Sequence, residues 1–398
     1  MHAATQAILT FNHGRDPERL TRKLATIAAD PFAFFRGTNH LYAASLRDEA
    51  PLHDAPATYV CGDLHLENFG SFKGDNGLVY FDLNDFDDAL VAPLTVDLIR
   101  VLSSVLVAAG QLGLSEANAT RACEEMLSTY AAVLQTGKAR WLERATAIGM
   151  VATLLTRVKR RRRGELLAER TTLRKGRRRL LCDGRHALPA DKAGREHARA
   201  ILAAYSRQSH HGHRFTADDA ARRVAGIGSL GLERYVVLAR DELGGMQRLI
   251  DVKRAAPSAW QDLPNRPQPR WGSDAKRVVA AQQIMQAASP ALLSAVDMGK
   301  ASYQVKSLQP TNDRVDLAQC KGFAQLREVL VTMAHAAAWA HLRGCGHHAA
   351  DRIEQLQAFA AGTRWRSGVL RLARHGCAVS MAQWKAYAED YRKARGDQ

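Results

Sequence analysis

Long apolar runs are missing from this 398-residue chain. Its most apolar stretch, residues 98–114, is broken by Arg100, Ser103, Ser104 and Gln111, and no segment reaches the ~18 uninterrupted apolar residues of a membrane span. The sequence opens without a basic segment leading into an apolar one, which predicts a cytoplasmic protein. Cysteine is sparse. Cys61, Cys123, Cys182, Cys320, Cys345 and Cys377 lie far apart with no C-x-x-C pair, a spacing that excludes a disulfide framework or a zinc ribbon and fits a reducing compartment. Acidic residues are in deficit, 40 against 56 basic, for a net charge of +16. That surplus predicts attraction to polyanions without choosing among nucleotides, nucleic acid and acidic surfaces. Much of it is concentrated between Arg157 and Arg185. What remains, 46% apolar and 24% charged residues, is ordinary globular composition, long enough for two or three domains or one bilobal unit.

The pattern along the chain is α+β. Residues 1–56 read as a helical lead-in. Thr58 to Cys61 and Leu78 to Phe81 read as short strands, and Lys73-Gly-Asp-Asn-Gly77 as the turn of a hairpin. From Val96 to about Arg170 the apolar spacing is helical; residues 170–215 are basic and irregular, ending in His210, His211 and His213. A second β-rich stretch contains Arg234 to Leu238 and Met246 to Lys253, separated by the turn Asp241-Glu-Leu-Gly-Gly245. A helix is expected from Asp274 to Ala288, a strand from Ser302 to Lys306, and mostly helix over 322–395. No internal repeat is visible. The expected units are a lead-in (1–56), a catalytic helical part with the basic segment (57–215), a small β nucleotide-binding part (216–312) and a helical return (313–398).

The chemistry concentrates in Cys61-Gly-Asp-Leu-His-Leu-Glu-Asn-Phe-Gly70, where Asp63 and Asn68 follow a strand, and in the acidic cluster Asp82-Leu-Asn-Asp-Phe-Asp-Asp88 after the next strand. Phosphoryl transfer needs this inventory: one carboxylate to take the proton of an attacking hydroxyl, and a few hard oxygens to hold Mg²⁺ against phosphate. Taken alone, Asp and Asn beside a strand are common turn residues. A G-x-G-x-x-G, Gly226-Ile-Gly-Ser-Leu-Gly231, precedes a β-branched strand rather than a helix, which argues against a dinucleotide fold.

Gly62-Asp-Leu-His-Leu-Glu-Asn68 resembles the catalytic loop of aminoglycoside and choline phosphotransferases and of protein kinases. Asn84-Asp-Phe-Asp-Asp-Ala89 is similar to their metal-binding segment, and Pro93-Leu-Thr-Val-Asp-Leu98 to the stretch whose last Asp braces that loop. The resemblance implies Asp63 as catalytic base and His65 where kinases place a Lys. It makes Asn68 and Asp85 the metal ligands, with Asp82 and Asp87 as competitors for the second role, and Asp97 the brace. Cys61 departs from the usual residue before Gly-Asp. The glycine turn and Leu249-Ile-Asp-Val-Lys253 resemble the kinase phosphate loop and its strand lysine, so Gly226, Gly228, Ser229, Gly231 and Lys253 are expected at the nucleotide. Kinases pair that lysine with a helix Glu; the helix after Lys253 has none, and Gln283 is the expected amide substitute. The helix Phe323 to Leu342 resembles the one that leads into a kinase catalytic loop. Because the catalytic loop here precedes the glycine loop, the implied fold is a bilobal, circularly permuted protein-kinase-like fold. The whole set, with Phe32-Ala-Phe-Phe-Arg-Gly37, Arg277-Val-Val279 and Tyr303-Gln-Val-Lys306, resembles a bacterial family of unknown function.

The expected activity is ATP- and Mg²⁺-dependent transfer to a hydroxyl of an unidentified, anionic or neutral acceptor, with adenylyl transfer as a variant. Two alternatives stand beside it. One is a pseudokinase-type nucleotide, RNA or acidic-surface binding module without turnover, with the Arg-rich segment as the surface-binding element. The other is a metallophosphoesterase, suggested by Gly62-Asp-Leu-His65 but lacking the Gly after His. Arg36 is either a phosphate or carboxylate clamp or a structural partner of the acidic cluster. His210, His211, His213, His347 and His348 read as solvated histidines.

Overall fold

The computed structural model describes residues 1–49, 53–208, 214–263, 267–310 and 312–396. Four short helices lead in: α1 (Ala3–Phe11), α2 (Pro17–Ala29), α3 (Pro31–Gly37) and α4 (Asn39–Leu46). Pro17 and Pro31 start α2 and α3, where a missing N–H costs nothing, and the Asp16 and Asp30 carboxylates accept the Arg19 and Ala33 amides.

Strand β1 (Ala57–Val60) pairs antiparallel with β4 (Leu90–Pro93), and between them lies the hairpin of β2 (Phe69–Lys73) and β3 (Val79–Leu83). Helix α5 (Thr95–Ala108) follows β4 directly and is buried along almost its whole length, including Asp97, Arg100, Ser103 and Ser104. Next come α6 (Glu116–Thr136), the two-residue β5 (Leu142–Glu143) beside β3, α7 (Gly149–Lys159) and α8 (Arg163–Arg170). The basic region expected to be irregular is instead structured. It forms the hairpin β6 (Thr171–Arg174) and β7 (Arg177–Leu180), β8 (Ala187–Leu188) and helix α9 (Lys192–Gln208). Ala198, Ile201, Leu202 and Tyr205 give α9 one buried apolar stripe, a three- and four-residue spacing hidden by the surrounding charge. His210, His211 and His213 lie outside the described residues.

The second β region holds β9 (Phe215–Arg223), β10 (Arg234–Asp241), β11 (Gln247–Arg254), α10 (Asp274–Met285), β12 (Ser294–Met298) and β13 (Ala301–Ser307). These strands and β8 make a six-stranded sheet in the order β12-β13-β11-β10-β9-β8, with every pairing antiparallel. Alternation along the strands gives the sheet two unlike faces. Val237, Ile250, Val252, Tyr303 and Val305 pack under α9 with Tyr205 and Leu202. Arg234, Asp251, Lys253, Gln304 and Lys306 occupy the alternate positions on the other face. The chain ends in α11 (Gly322–Gly344), α12 (Ile353–Ala361) and α13 (Arg364–Arg395). The largest core unites β1, β4, α5, α6 and α11 through residues such as Tyr59, Val91, Ile99, Val105, Tyr130 and Ala337. Among the described residues no helix is long and apolar enough to cross a membrane.

Candidate active site

The loop after β1 is shaped by buried polar groups. Gly62 sits at φ +74°, and any Cβ there would collide with the Asp88 carbonyl. The fully buried Asp97 accepts the Cys61 amide at 2.8 Å on Oδ2 and the Gly62 amide at 2.9 Å on Oδ1. His341 on α11 adds its Nε2 at 3.1 Å, while the Tyr130 hydroxyl lies 2.6 Å from its Nδ1. Tyr130 therefore donates to Nδ1, and the imidazole proton on Nε2 points to the carboxylate. The Gly62 carbonyl takes the Trp260 indole at 2.6 Å and the Asn39 amide at 3.1 Å. Both amides and the Gly62 carbonyl of this turn are thereby held by the protein's own groups.

Asp63 follows. Arg100 is completely buried beneath it, with its guanidinium 3.5 Å from the Phe35 ring centroid and 4.4 Å from that of Tyr42, and donates from Nε at 2.9 Å to Asp63 Oδ1. One fifth of the Asp63 side chain stays open to the cleft. Burial outweighs Arg100 and pushes its carboxyl up to about 8, with the nearby Asp88 and Asp85 adding to the rise. Asn68 donates to the Asp63 carbonyl at 2.6 Å, leaving its own Oδ1 with no hydrogen bond among the described residues. His65 is buried against Phe32 and accepts the Glu67 amide on Nδ1. Burial, then Arg36, Arg100 and Arg314, hold it well below the usual imidazole range, so it is neutral.

The acidic cluster divides by environment. Asp82 is buried and bound by Arg343 at 2.8 Å and the Ala287 amide at 3.1 Å; it ties β3 to α11 and does not line the cleft, contrary to a metal role. Asp85 is 45% exposed, and its Oδ1 is 4.0 Å from Lys253 Nζ. Asp87 is ion-paired directly with Lys253, which holds its carboxyl below the ordinary range against the opposing effect of burial. Asp88 accepts Asn39 at 2.9 Å and the Ala259 amide at 2.7 Å; burial raises its carboxyl despite these bonds.

The glycine turn joins β9 to β10 over this cleft. Gly226 and Gly231 adopt φ +72° and +91°, which residues with a Cβ rarely take. Its carbonyls are held from the lead-in: Arg15 donates to Gly228 and Leu230 at 2.9 and 3.1 Å, and Lys23 to Gly228 at 2.9 Å. Arg36, Asp63, His65, Asn68, Asp85, Asp87, Gly226, Gly228 and Ser229 all line one narrow cavity of about 100 Å³. It meets a wider one of about 610 Å³ under the sheet, walled in part by Arg36, Asn68, Asp85, Gly226 and Lys253. Arg36 itself is paired with Glu67 at 2.7 Å.

Residues 15–390 match the family described as "Uncharacterized protein conserved in bacteria (DUF2252)". The chain belongs to this family. No curated protein and no solved structure matches it.

In this DUF2252 protein Gln283 is not the partner of Lys253. It is exposed, because the inward face of α10 is set by Ala275, Val278, Val279, Gln282 and Met285, and residue 283 lies one hundred degrees further round. Gln282 faces inward instead, accepting from Gln304 at 2.8 Å and donating to Gln286 at 3.1 Å. Among the described residues no three His, Cys, Asp or Glu side chains gather into a metal-binding group. Asn68 Oδ1 and the half-open Asp85 carboxylate are hard oxygen donors beside the cavity, a set that fits Mg²⁺, which takes few protein ligands. Sequence reading missed Arg100, Asn39, Asp88 and Trp260. Arg100 carried a signal, the one charge within the apolar run 98–114, which requires a buried partner; Trp260, in a loop, carried none.

Proposed function

We propose that this protein is an ATP- and Mg²⁺-dependent phosphotransferase acting on a hydroxyl, with a bilobal kinase-like fold in circularly permuted order. The observation that carries the reading is the approach of Lys253 to within 4.0 Å of Asp85, 168 positions earlier in the chain, beneath a glycine turn and beside Asp63. Two distant stretches thus serve one cleft. Mg²⁺ held by Asn68 and Asp85 would neutralise the phosphate oxygens. Asp63 takes the proton of the acceptor hydroxyl as its oxygen forms a bond to the terminal phosphorus and the bridging oxygen leaves with ADP. Arg100 keeps the Asp63 carboxylate oriented, and the raised basicity of that carboxylate suits proton transfer at neutral pH. Lys253 and the turn amides Gly226 to Gly231 would contact the phosphates.

A second reading, a nucleotide-binding module without turnover, is favoured by one feature: α10 presents no carboxylate to Lys253, whose partner is Asp87. The test is nucleotide turnover by the purified protein with Mg²⁺, with Asp63→Asn as control. Turnover lost in the variant supports transfer. Thermal stabilisation by ATP, equal in both proteins and without turnover, supports the binding module. Mass gain on the acceptor separates phosphate from AMP.

A further inference from the structure

The cavity under the sheet has an unusual charge arrangement. Three carboxylates around it are each shared by two arginines. Glu67 is bound by Arg36 and Arg314, Asp251 by Arg223 and Arg234, and Asp313, at the rim, by Arg157 and Arg161. Asp251 is nearly inaccessible, with Arg234 forked onto it at 2.9 and 2.6 Å. Lys306, two positions along β13 from Gln304, lines the same cavity and has no ion-pair partner among the described residues. Seven arginine and lysine side chains therefore line this cavity against four carboxylates, three more positive charges than negative. Burial, with Arg234 and Lys253 repelling the proton and Asp251 opposing them, brings the Lys306 ammonium down to about 8. The buried Nε donors of Arg36 and Arg170, both on the cavity wall, have no hydrogen-bond partner among the described residues.

At the other end of the cleft four carboxylates, Asp63, Asp85, Asp87 and Asp88, share the wall with Arg15, Arg36 and Arg254. A ligand suited to both ends is an extended polyanion whose divalent cation sits among these carboxylates. The largely buried cations Arg36, Arg223 and Arg234 are relieved by an anion, and the two-for-one sharing supplies guanidinium donors already oriented. An apolar base would leave them unpaired.

The geometry points to a polyphosphate subsite formed by Lys306, Arg223, Arg234, Arg36 and Arg314, in which the phosphate chain of the donor lies beneath the sheet. The identity of that chain as part of a nucleotide rests on the phosphotransferase reading; the subsite itself does not. The shared chemistry is a di- or triphosphate, and ATP and inorganic tripolyphosphate distinguish its sources.

The experiment is isothermal titration of the full chain with Mg²⁺ and either tripolyphosphate, ATP or AMP, on the wild type, Lys306→Gln and Arg314→Gln, with the exposed Lys300→Gln as control and circular dichroism to verify folding. Tripolyphosphate is expected to bind, to compete with ATP, and to weaken about tenfold in each site variant, with AMP affinity and the Lys300→Gln variant unchanged. Wild-type affinity for tripolyphosphate in both folded site variants, or binding of ATP and tripolyphosphate together without competition, overturns the inference. Lys306-dependent tripolyphosphate binding in a protein that never turns over ATP upholds the subsite and sinks the phosphotransferase reading.

Discussion

Replacing Asp97 with Asn is the sharpest test of how the loop after β1 is held. The carboxylate is fully buried and receives three donors, the Cys61 and Gly62 amides on separate oxygens and His341 Nε2. An Asn offers one oxygen and one NH₂, so in either orientation an N–H of the loop or of the imidazole faces another donor. At least one charge-assisted bond is lost, about 1.5–3 kcal/mol, and one buried donor is left unmet, about 1–3 kcal/mol. Relief from burying a charge offsets part of this, leaving a net loss of about 3 kcal/mol, a large share of a typical domain's ~5–15 kcal/mol. Urea unfolding with an unchanged m-value reads that loss. His341→Gln and Tyr130→Phe, which remove donors one step further out, should cost less, about 1–2 kcal/mol. An Asp97→Asn midpoint equivalent to within about 0.5 kcal/mol of wild type would refute the brace.

The pH dependence of Asp63 follows from its carboxyl lying near 8 in the folded protein against ~3.9 unfolded. Between those values the folded state keeps a proton the unfolded state has lost, so stability falls as pH rises from about 4 to about 8; Asp63→Asn should flatten that slope, and equal slopes in both proteins contradict it. Transfer activity, needing the ionised carboxylate, should rise across the same range towards pH ~8, read as kcat/KM against pH. Gln282→Ala should cost about 1–3 kcal/mol by cutting the chain from Gln304 to Gln286, whereas Gln283→Ala stays within about 0.5 kcal/mol of wild type; thermal unfolding of the pair decides the register of α10. Gly62→Ala, which combines a left-handed backbone with a clash at the Asp88 carbonyl, should destabilise by about 2–4 kcal/mol in the same assay.

The residues that touch the cleft were more legible than the elements that carry them. Asp63, Asn68, Asp85, Gly226 and Lys253 stand out because the proposed phosphate and metal chemistry would narrow the residue types and spacings that serve it, and the structure gathers all five at adjoining cavities. Asp82 and Gln283 were misplaced for a geometric reason. A strand alternates faces at each residue and a helix turns one hundred degrees, so one position decides whether a side chain meets the cleft or Arg343, or faces solvent. Strand β9 escaped notice since Ala217 to Ala221 is Ala and Asp rather than β-branched. Pairing with β10 makes it a strand despite that composition. Helix α9 was masked by charge around its apolar stripe.

The brace on the loop after β1 joins residues made at opposite times. Asp97 waits for a histidine 244 positions later, and the Thr58 hydroxyl bonds to the backbone of that same residue across 283. A ribosome has therefore released most of the polypeptide before this turn can reach its final shape. Contacts of such separation slow folding, and a nascent chain that stops short of α11 carries Asp97 without the histidine that completes its set of donors.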